Sequence, residues 1–193
     1  MRRIQIIVNN GAGTGSAVAV WKETKEYLQE NGISYNAYLT RYEKHAVKLA
    51  GQICGKIPEG PIYLLVVGGD GTINEVLNGI TDFDRVRLGV IPTGSGNDFA
   101  RNLGILRDTR EDLREITACI DQEQNGGKLQ RIDLGKVSWE GCEKPRIFGI
   151  SAGAGLDAIV CKKALHSKLK KILNRFHLGK LTYLMLTVQT LFS

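Results

Sequence analysis

The chain has 193 residues, a hydrophobic content of 42% and a mean hydropathy of −0.13. This composition predicts a globular protein with a hydrophobic core and argues against a disordered or membrane-spanning chain. The formal net charge is +6, but seven of the basic residues follow residue 157, where no acidic residue occurs. The preceding residues carry 19 basic and 20 acidic groups, so the charge does not favour a nucleic-acid-binding protein.

The start of the chain and its cysteines indicate a cytoplasmic protein. Residues 4–8 form an apolar run that is too short for a signal peptide. The cysteines show neither a Cys-x-x-Cys pair nor metal-ligand spacing, and they are Cys54, Cys119, Cys142 and Cys161. Reduced, mostly buried thiols of this kind are typical of a reducing compartment.

Apolar periodicity predicts alternating strands and helices over the first 91 residues. Residues 3–9 are predicted as a buried strand, and a glycine-rich loop follows at 9–16. Residues 17–31 have helical spacing. Four side chains are expected on its inner face: Val18, Trp21, Tyr27 and Leu28.

Residues 34–40, 64–67 and 87–91 are predicted as three further strands, with a helix at 44–56 between the first two. The alternation predicts an α/β fold, a Rossmann-like parallel sheet with helices on both faces. Such sheets bind ligands at the carboxyl ends of their strands, and three glycine-rich loops fall at that edge.

The loop after the third strand is Gly-Gly-Asp-Gly at residues 68–71. Thr72 and Glu75 have the spacing of a capping box at the start of a helix. Three glycines allow backbone N–H groups to approach an anion at a helix N-terminus. Asp70 would repel a phosphate unless Mg²⁺ lies between or near them. Taken alone, the loop is equally compatible with a tight turn in which Asp70 makes a local hydrogen bond.

The loop after the fourth strand, residues 92–104, contains a second carboxylate, Asp98, together with Thr93, Ser95 and Arg101. Asn97 or Asp98 is predicted to cap a short helix that ends at residue 104. Taken alone, Asp98 would be a simple N-cap and Arg101 a surface ion pair. Two glycine-rich loops with carboxylates and hydroxyls at one sheet edge favour a triphosphate and its metal.

The first loop, GAGTGS, leaves another class of nucleotide enzyme open. Its G-x-G-x-G spacing differs from the dinucleotide fingerprint, and no acidic residue ends the second strand. Arg41 stands there instead and would suit the 2′-phosphate of NADP. No Lys-Ser or Lys-Thr pair follows Gly13 or Gly15, so the loop is not a Walker A sequence.

The two motifs GGDGTINEV (68–76) and PTGSGNDFAR (92–101) together resemble the catalytic domain of the diacylglycerol kinase and sphingosine kinase group, particularly the soluble bacterial diacylglycerol kinases. The resemblance implies transfer of the ATP γ-phosphoryl group to a lipid hydroxyl, most directly diacylglycerol to phosphatidate, in lipid metabolism. It implies catalytic roles for Asp70 and Asp98 in a network of carboxylates and waters around Mg²⁺. The residues that it implies for ATP binding are Asn9, Asn10, Gly11, Ala12, Gly13, Thr40, Gly68, Gly69, Asp70, Gly71, Thr72, Ile73, Asn74 and Thr93.

The resemblance is imperfect in the first loop, where Asn10 and Ala12 stand in place of the family's Pro and Ser. NAD kinases share GGDGT, whereas the longer motifs favour lipid kinases. An NAD kinase and a non-catalytic nucleotide-binding module therefore stay open as alternatives.

After a predicted helix at 112–122, a turn at 124–127 is predicted to separate two domains, 1–127 and 128–193. The second is expected to begin with strands at 130–139 and 146–151 and to be incomplete and mostly β. Asp133 and Asp157 also match the family, although a strand-edge and a turn carboxylate would look the same.

Residues 159–176 combine an apolar helical stripe with a lysine-rich face. This pattern fits core helices of a second domain, and it also fits a peripheral segment at 162–180 that meets an anionic membrane surface. The helical spacing continues to residue 192 but is too short to span a bilayer.

The chain ends at Ser193 inside this apolar pattern, and no acidic residue after Asp157 offers a general base for the acceptor hydroxyl. The resemblance implies that related enzymes continue further and carry a glutamate base there. We therefore expect a truncated chain that binds nucleotide, shows little kinase activity alone, and exposes apolar surface or hides it by forming a homodimer.

Overall fold

The computed structural model describes residues 3–11, 16–105, 108–126, 129–155, 158–160 and 162–163. The chain divides into two compact units, Met1–Ile150 and Ser151–Ser193. The predicted domain boundary near Gly127 falls outside the described residues and stays a prediction. The same holds for the apolar and lysine-rich pattern from residue 164 onward, although residues 158–160 and 162–163 are helical.

Four parallel strands form the central sheet of the first unit in the order β2-β1-β3-β4. Their bounds are β1 (Ile4–Val8), β2 (Tyr35–Leu39), β3 (Ile62–Gly68) and β4 (Val86–Pro92). Every residue of β1 and β3 is buried, as expected for strands covered on both faces. The strand order reverses between β1 and β3, and open α/β sheets bind ligands at such a switch point.

Within the described part of the first unit, five helices accompany the sheet: α1 (Ser16–Glu30), α2 (His45–Lys56), α3 (Asp70–Gly79), α4 (Asp98–Asn102) and α5 (Thr109–Gln124). Because strand side chains alternate, Ile4, Ile6 and Val8 pack into the core under α1 and α5. Ile7 packs into the opposite core, under α2 and α3. The arrangement confirms the predicted α/β fold with helices on both faces of a parallel sheet.

The predicted inner face of α1 is right for Trp21 and Leu28 but wrong for Val18, which is 55% exposed. The buried positions are Ala17, Trp21, Thr24 and Leu28, which follow the spacing of one helical stripe. Thr24 is polar, but its hydroxyl donates to the Val20 carbonyl at 2.7 Å, so burial leaves it satisfied. The choice of the more apolar Val18 over its neighbour Ala17 therefore placed the first buried position one residue too late.

The strands after α5 are shorter than predicted. Among residues 129–155, only Gly135–Val137 (β5) and Arg146–Phe148 (β6) pair, in an antiparallel hairpin. Asn78 of α3 brackets the middle of β6, because its amide donates to the Ile147 carbonyl at 2.8 Å and accepts from the Ile147 N–H at 3.0 Å. The Asn78 side chain therefore satisfies the backbone N–H and carbonyl of Ile147, so these two groups are not available to pair with another strand.

The contact between α2 and α3 depends on Gly79. A Cβ at Gly79 would lie 2.2 Å from the Val47 carbonyl oxygen and 2.8 Å from the Ala50 Cβ. Gly79→Ala is therefore expected to lower the free energy of unfolding by about 2 kcal/mol, measured by urea denaturation.

Gly55→Ala is the matched control, because Gly55 lies within α2 and a Cβ there meets no described atom within 4 Å. Alanine favours the helix, so this variant is expected to gain about 0.5–1 kcal/mol. Equal effects of the two substitutions would contradict the close packing of α2 on α3.

Candidate functional site

The loops after β1, β3 and β4 meet at the carboxyl edge of the sheet. The Asn9 side-chain amide donates to the Thr72 hydroxyl at 2.8 Å, which joins the loop after β1 to α3. The Thr93 N–H donates to the Gly68 carbonyl at 3.1 Å, which joins the ends of β3 and β4. The structure thus brings four of the predicted site residues into one connected group.

Close backbone packing explains two of the glycines in these loops. A Cβ on Gly69 would lie 3.0 Å from the Gly94 Cα, and a Cβ on Gly94 would lie 2.9 Å from the Gly69 Cα. Gly71 differs, because a Cβ there meets no described atom within 4 Å. The fold therefore requires Gly69 and Gly94, whereas glycine at Gly71 leaves open space beside the first turn of α3.

Asp70 connects the two glycine-rich motifs. Its Oδ2 accepts from the Asp98 N–H at 3.1 Å and its Oδ1 accepts from the Phe99 N–H at 3.1 Å. These donors form the start of α4, so Asp70 caps a helix 28 residues further along the chain. The hydrogen bonds of Asp70 are long-range, unlike those of a residue in a simple tight turn.

The predicted capping box at Thr72 and Glu75 is wrong. The first helical residue of α3 is Asp70, and its N-cap, Gly69, makes no side-chain cap. The Thr72 hydroxyl is used by Asn9, and the Glu75 carboxylate accepts hydrogen bonds from α2 and the residue before it. Tertiary partners have replaced the local ones that the spacing suggested.

The predicted ends of α4 are right in position, because Asn97 is its N-cap residue and Gly104, at φ 73°, follows its C-cap, Leu103. Asn97 occupies the N-cap position in the left-handed region, at φ 53°, and its side chain makes no cap. Its Oδ1 instead accepts from the Gly94 N–H at 2.8 Å and closes the turn of the loop. Asparagine tolerates this backbone conformation, so the Gly-Ser-Gly-Asn sequence was the available signal for the turn.

Asp98 is exposed and pairs with Arg101, whose Nη1 donates to its Oδ1 at 2.6 Å. Arg101 also donates to the Gly96 carbonyl at 2.8 Å. A Cβ on Gly96 would lie 3.1 Å from the Asp70 Oδ2 and 3.5 Å from the Asp98 Oδ2. The two carboxylates are therefore close neighbours across Gly96, and the expected surface ion pair of Arg101 is present.

Two buried polar atoms at this edge have no hydrogen-bond partner within the described part of the chain. They are the Asn10 Oδ1 and the Thr93 Oγ1. Buried polar atoms are nearly always satisfied, because leaving one unpaired is costly. An amide oxygen at the end of β1 and a hydroxyl at the end of β4 are thus available to a ligand.

The remaining predicted site residues differ in what they can offer. Thr40 lies at the end of β2, and its N–H donates to the Val8 carbonyl at 2.8 Å. Ile73 is only 2% exposed in the core, and its N–H donates to the Gly69 carbonyl at 3.1 Å. Asn74 and Asp133 are exposed. Ala12, Gly13 and Asp157 lie outside the described residues.

No group of three or more His, Cys, Asp or Glu side chains among the described residues forms a metal site. Mg²⁺ commonly binds through one or two carboxylates together with substrate phosphates and water. The pair Asp70 and Asp98 fits that donor set, with the phosphates of a nucleotide supplying the remainder.

The sequence profile of the diacylglycerol kinase catalytic domain matches residues 3–137. The chain belongs to the diacylglycerol kinase catalytic domain family. This confirms the resemblance read from the two motifs and places the connected loops within the matched part of this kinase family.

Curated proteins and solved structures that are similar to this chain are also named as diacylglycerol kinases. Diacylglycerol kinase of Bacillus subtilis (strain 168) is 35% identical over 188 residues, which is 95% of this chain and 54% of the relative. Diacylglycerol kinase of Staphylococcus saprophyticus is 31% identical over 176 residues, covering 91% of this chain and 52% of the relative. The chain spans about half the length of these curated relatives.

A crystal structure of a diacylglycerol kinase from Bacillus anthracis str. Sterne matches with a TM-score of 0.51 and 27% identity, covering 60% of this chain and 39% of that one. It supports the kinase-family fold. Among the helices of the described residues, none has the length and apolar character needed to cross a membrane.

Proposed function

We propose that this chain supplies the nucleotide site of an ATP-dependent lipid kinase that converts diacylglycerol to phosphatidate. The observation that carries the proposal is the Asp70 carboxylate, which ties the Gly-Gly-Asp-Gly loop to the start of α4. This contact places two acidic residues and two glycine-rich loops at one sheet edge, in a member of the diacylglycerol kinase family.

The phosphates of ATP would lie at the N-terminus of α3. Backbone N–H groups and the helix dipole favour negative charge there, and the space beside Gly71 lets the backbone approach an anion. The unpartnered Thr93 hydroxyl is a donor for a phosphate oxygen, and the unpartnered Asn10 amide oxygen is an acceptor for a base or ribose group. The loops after β1 and β2 carry the other residues proposed for ATP: 9–13 and Thr40.

Mg²⁺ would be held near Asp70 and Asp98 and, when bound, would supply positive charge that offsets the carboxylates and phosphates. Each Asp70 oxygen accepts one backbone N–H and keeps a further lone pair for water. Arg101 holds Asp98 from one side. The chain's own contribution to phosphoryl transfer is thus alignment and charge compensation at the reacting phosphate.

The diacylglycerol acceptor is proposed from the names of the curated relatives, since none of the described loops marks an acceptor site. An anionic membrane surface as a partner is part of the same proposal, because a lipid acceptor resides there. The lysine-rich segment at 162–180 would make that contact, and all of it except Lys162 and Lys163 lies outside the described residues.

The function is tested by incubating the purified chain with γ-labelled ATP and Mg²⁺ and offering diacylglycerol micelles, sphingosine micelles or NAD. Because low turnover is expected, long incubations are used and ATP binding is measured separately by calorimetry. We expect ATP binding and labelled phosphatidate. Labelled NADP would identify an NAD kinase instead, and ATP binding with no transfer to any acceptor by the intact protein would favour a non-catalytic module.

A further inference from the structure

The side chain of Glu75, in the middle of α3, accepts hydrogen bonds from the start of another helix, α2. Its Oε1 accepts from the Lys44 N–H at 3.0 Å, and its Oε2 accepts from the Ala46 N–H at 3.2 Å. These donors lie 31 and 29 residues away in sequence. Both carboxylate oxygens thus satisfy backbone groups at the start of α2 that no residue of α2 itself can satisfy.

The N-terminus of α2 receives no side-chain cap from its own N-cap residue. Lys44 occupies the N-cap position in the left-handed region, at φ 65° and ψ 8°, and makes no side-chain cap. This conformation is uncommon for a residue other than glycine, so the surroundings must hold it. Glu75 supplies the acceptor that an N-cap side chain would usually provide.

Contacts within the loop extend this attachment toward the sheet edge. The Arg41 N–H donates to the His45 Nδ1 at 3.1 Å, and the Tyr42 ring stacks on His45 with centroids 4.4 Å apart. The preceding residue, Thr40, is bonded to the end of β1. The position of α2's first turn therefore sets the course of residues 40–45.

Glu75 follows Thr72 by three residues, so the two side chains lie on the same side of α3. Thr72 holds the loop after β1 through Asn9, and Glu75 holds the loop after β2. One side of α3 therefore fixes both of these loops relative to the Gly-Gly-Asp-Gly turn. Neighbouring β1 and β2 end at the same edge, where the nucleotide is proposed to bind.

We propose that Glu75 is a positioning residue for the nucleotide. It fixes the β2–α2 loop, with Thr40, against the loops that hold the phosphates, and it acts through the backbone of Lys44 and Ala46. This inference rests on the proposed nucleotide site and adds a residue outside the set predicted to contact ATP.

Glu75→Gln tests the inference, because glutamine keeps the size of the side chain but turns an NH₂ group toward one of the two N–H donors. ATP affinity is expected to fall about tenfold, the equivalent of losing one helix cap. The matched control is Glu43→Gln, which removes the same charge from the same loop. Glu43 is exposed and makes no hydrogen bond or ion pair with the described residues. The ATP affinity of the Glu43→Gln variant is therefore expected to stay unchanged.

Two further measurements separate positioning from general destabilisation. Amide hydrogen exchange at Lys44 and Ala46 should accelerate in Glu75→Gln, while exchange in β1 and β3 stays slow. Adding Lys44→Gly, which suits the left-handed backbone, should restore part of the ATP affinity. Glu75→Asp keeps the charge but draws it back by one methylene, and it should also weaken ATP binding.

The outcomes are distinct. If the unmodified chain does not bind ATP, the proposed function fails. If it binds ATP and a folded Glu75 variant with faster exchange at Ala46 binds ATP equally well, the positioning role is overturned. Should Glu75→Gln not fold, the Glu75→Asp variant decides the matter by the same comparison.

Discussion

Replacing Asp70 with Asn is expected to weaken binding of ATP with Mg²⁺ by about 100-fold, yet to leave binding of metal-free ATP unchanged or stronger. A carboxylate repels the phosphates directly and attracts them only when a cation lies between. Removing the charge therefore has opposite signs in the two conditions. Calorimetric titration with ATP, in Mg²⁺ and in excess chelator, measures both effects, and labelled-ATP assays are expected to show no transfer.

The same substitution is expected to lower the free energy of unfolding by about 1 kcal/mol, because asparagine has one acceptor oxygen for the two N–H groups that Asp70 now caps. Asp98→Asn is the matched control, since its exposed side chain caps nothing and pairs only with Arg101 among the described residues. That variant should show the same reversal with metal and little change in stability. If Asp70→Asn bound both forms of ATP more weakly, or still transferred phosphate at a near-normal rate, the proposed metal-binding role of Asp70 would be wrong and its role would be structural only.

The sheet was predictable because its two central strands, β1 and β3, are buried on both faces. A short continuous apolar run such as residues 64–67, bounded by strong turn residues, predicts a buried strand rather than a helix. The parallel alternation then fixes which strand ends share an edge. For this reason the glycine-rich loops could be assigned to one site before their contacts were known.

The side-chain partners were not predictable, and α3 shows why. Local rules pair Thr72 with Glu75, since they have capping-box spacing, but both side chains bond to residues outside this helix, as do those of Asp70 and Asn78. Their partners are set by how the layers pack, which no local pattern records. The contacts are Asp70 to the start of α4, Thr72 to Asn9, Glu75 to Lys44 and Ala46, and Asn78 to Ile147.

These contacts make α3 the element to which the β1, β2 and β4 loops and the hairpin are all attached. A helix of ten residues that carries four such attachments has little freedom to shift without moving the site. The sequence DGTINEVLNG therefore combines positions proposed to bind the nucleotide with positions that hold the fold together, and substitutions in it need a separate measure of stability.

Gly71→Ala and Gly69→Ala separate those two roles most sharply. A Cβ at Gly71 enters open space beside the first turn of α3, so the protein itself should tolerate alanine and gain up to about 1 kcal/mol of stability. If ATP phosphates occupy that space, the methyl group should weaken ATP binding by about 100-fold. At Gly69 the Cβ would lie 3.0 Å from the Gly94 Cα, so alanine should lower both stability, by about 1–2 kcal/mol, and binding.

Urea denaturation and ATP titration give a stability and an ATP affinity for each of the two variants. Only one pattern of these four values supports the binding of ATP phosphates beside Gly71. Gly71→Ala must be at least as stable as the unmodified chain and still bind ATP poorly, because then the lost binding cannot come from damage to the fold. Gly69→Ala provides the opposite case, in which lost binding accompanies lost stability. Normal ATP affinity in Gly71→Ala would mean that the phosphates do not approach this turn, and the proposed nucleotide site would lose its main support.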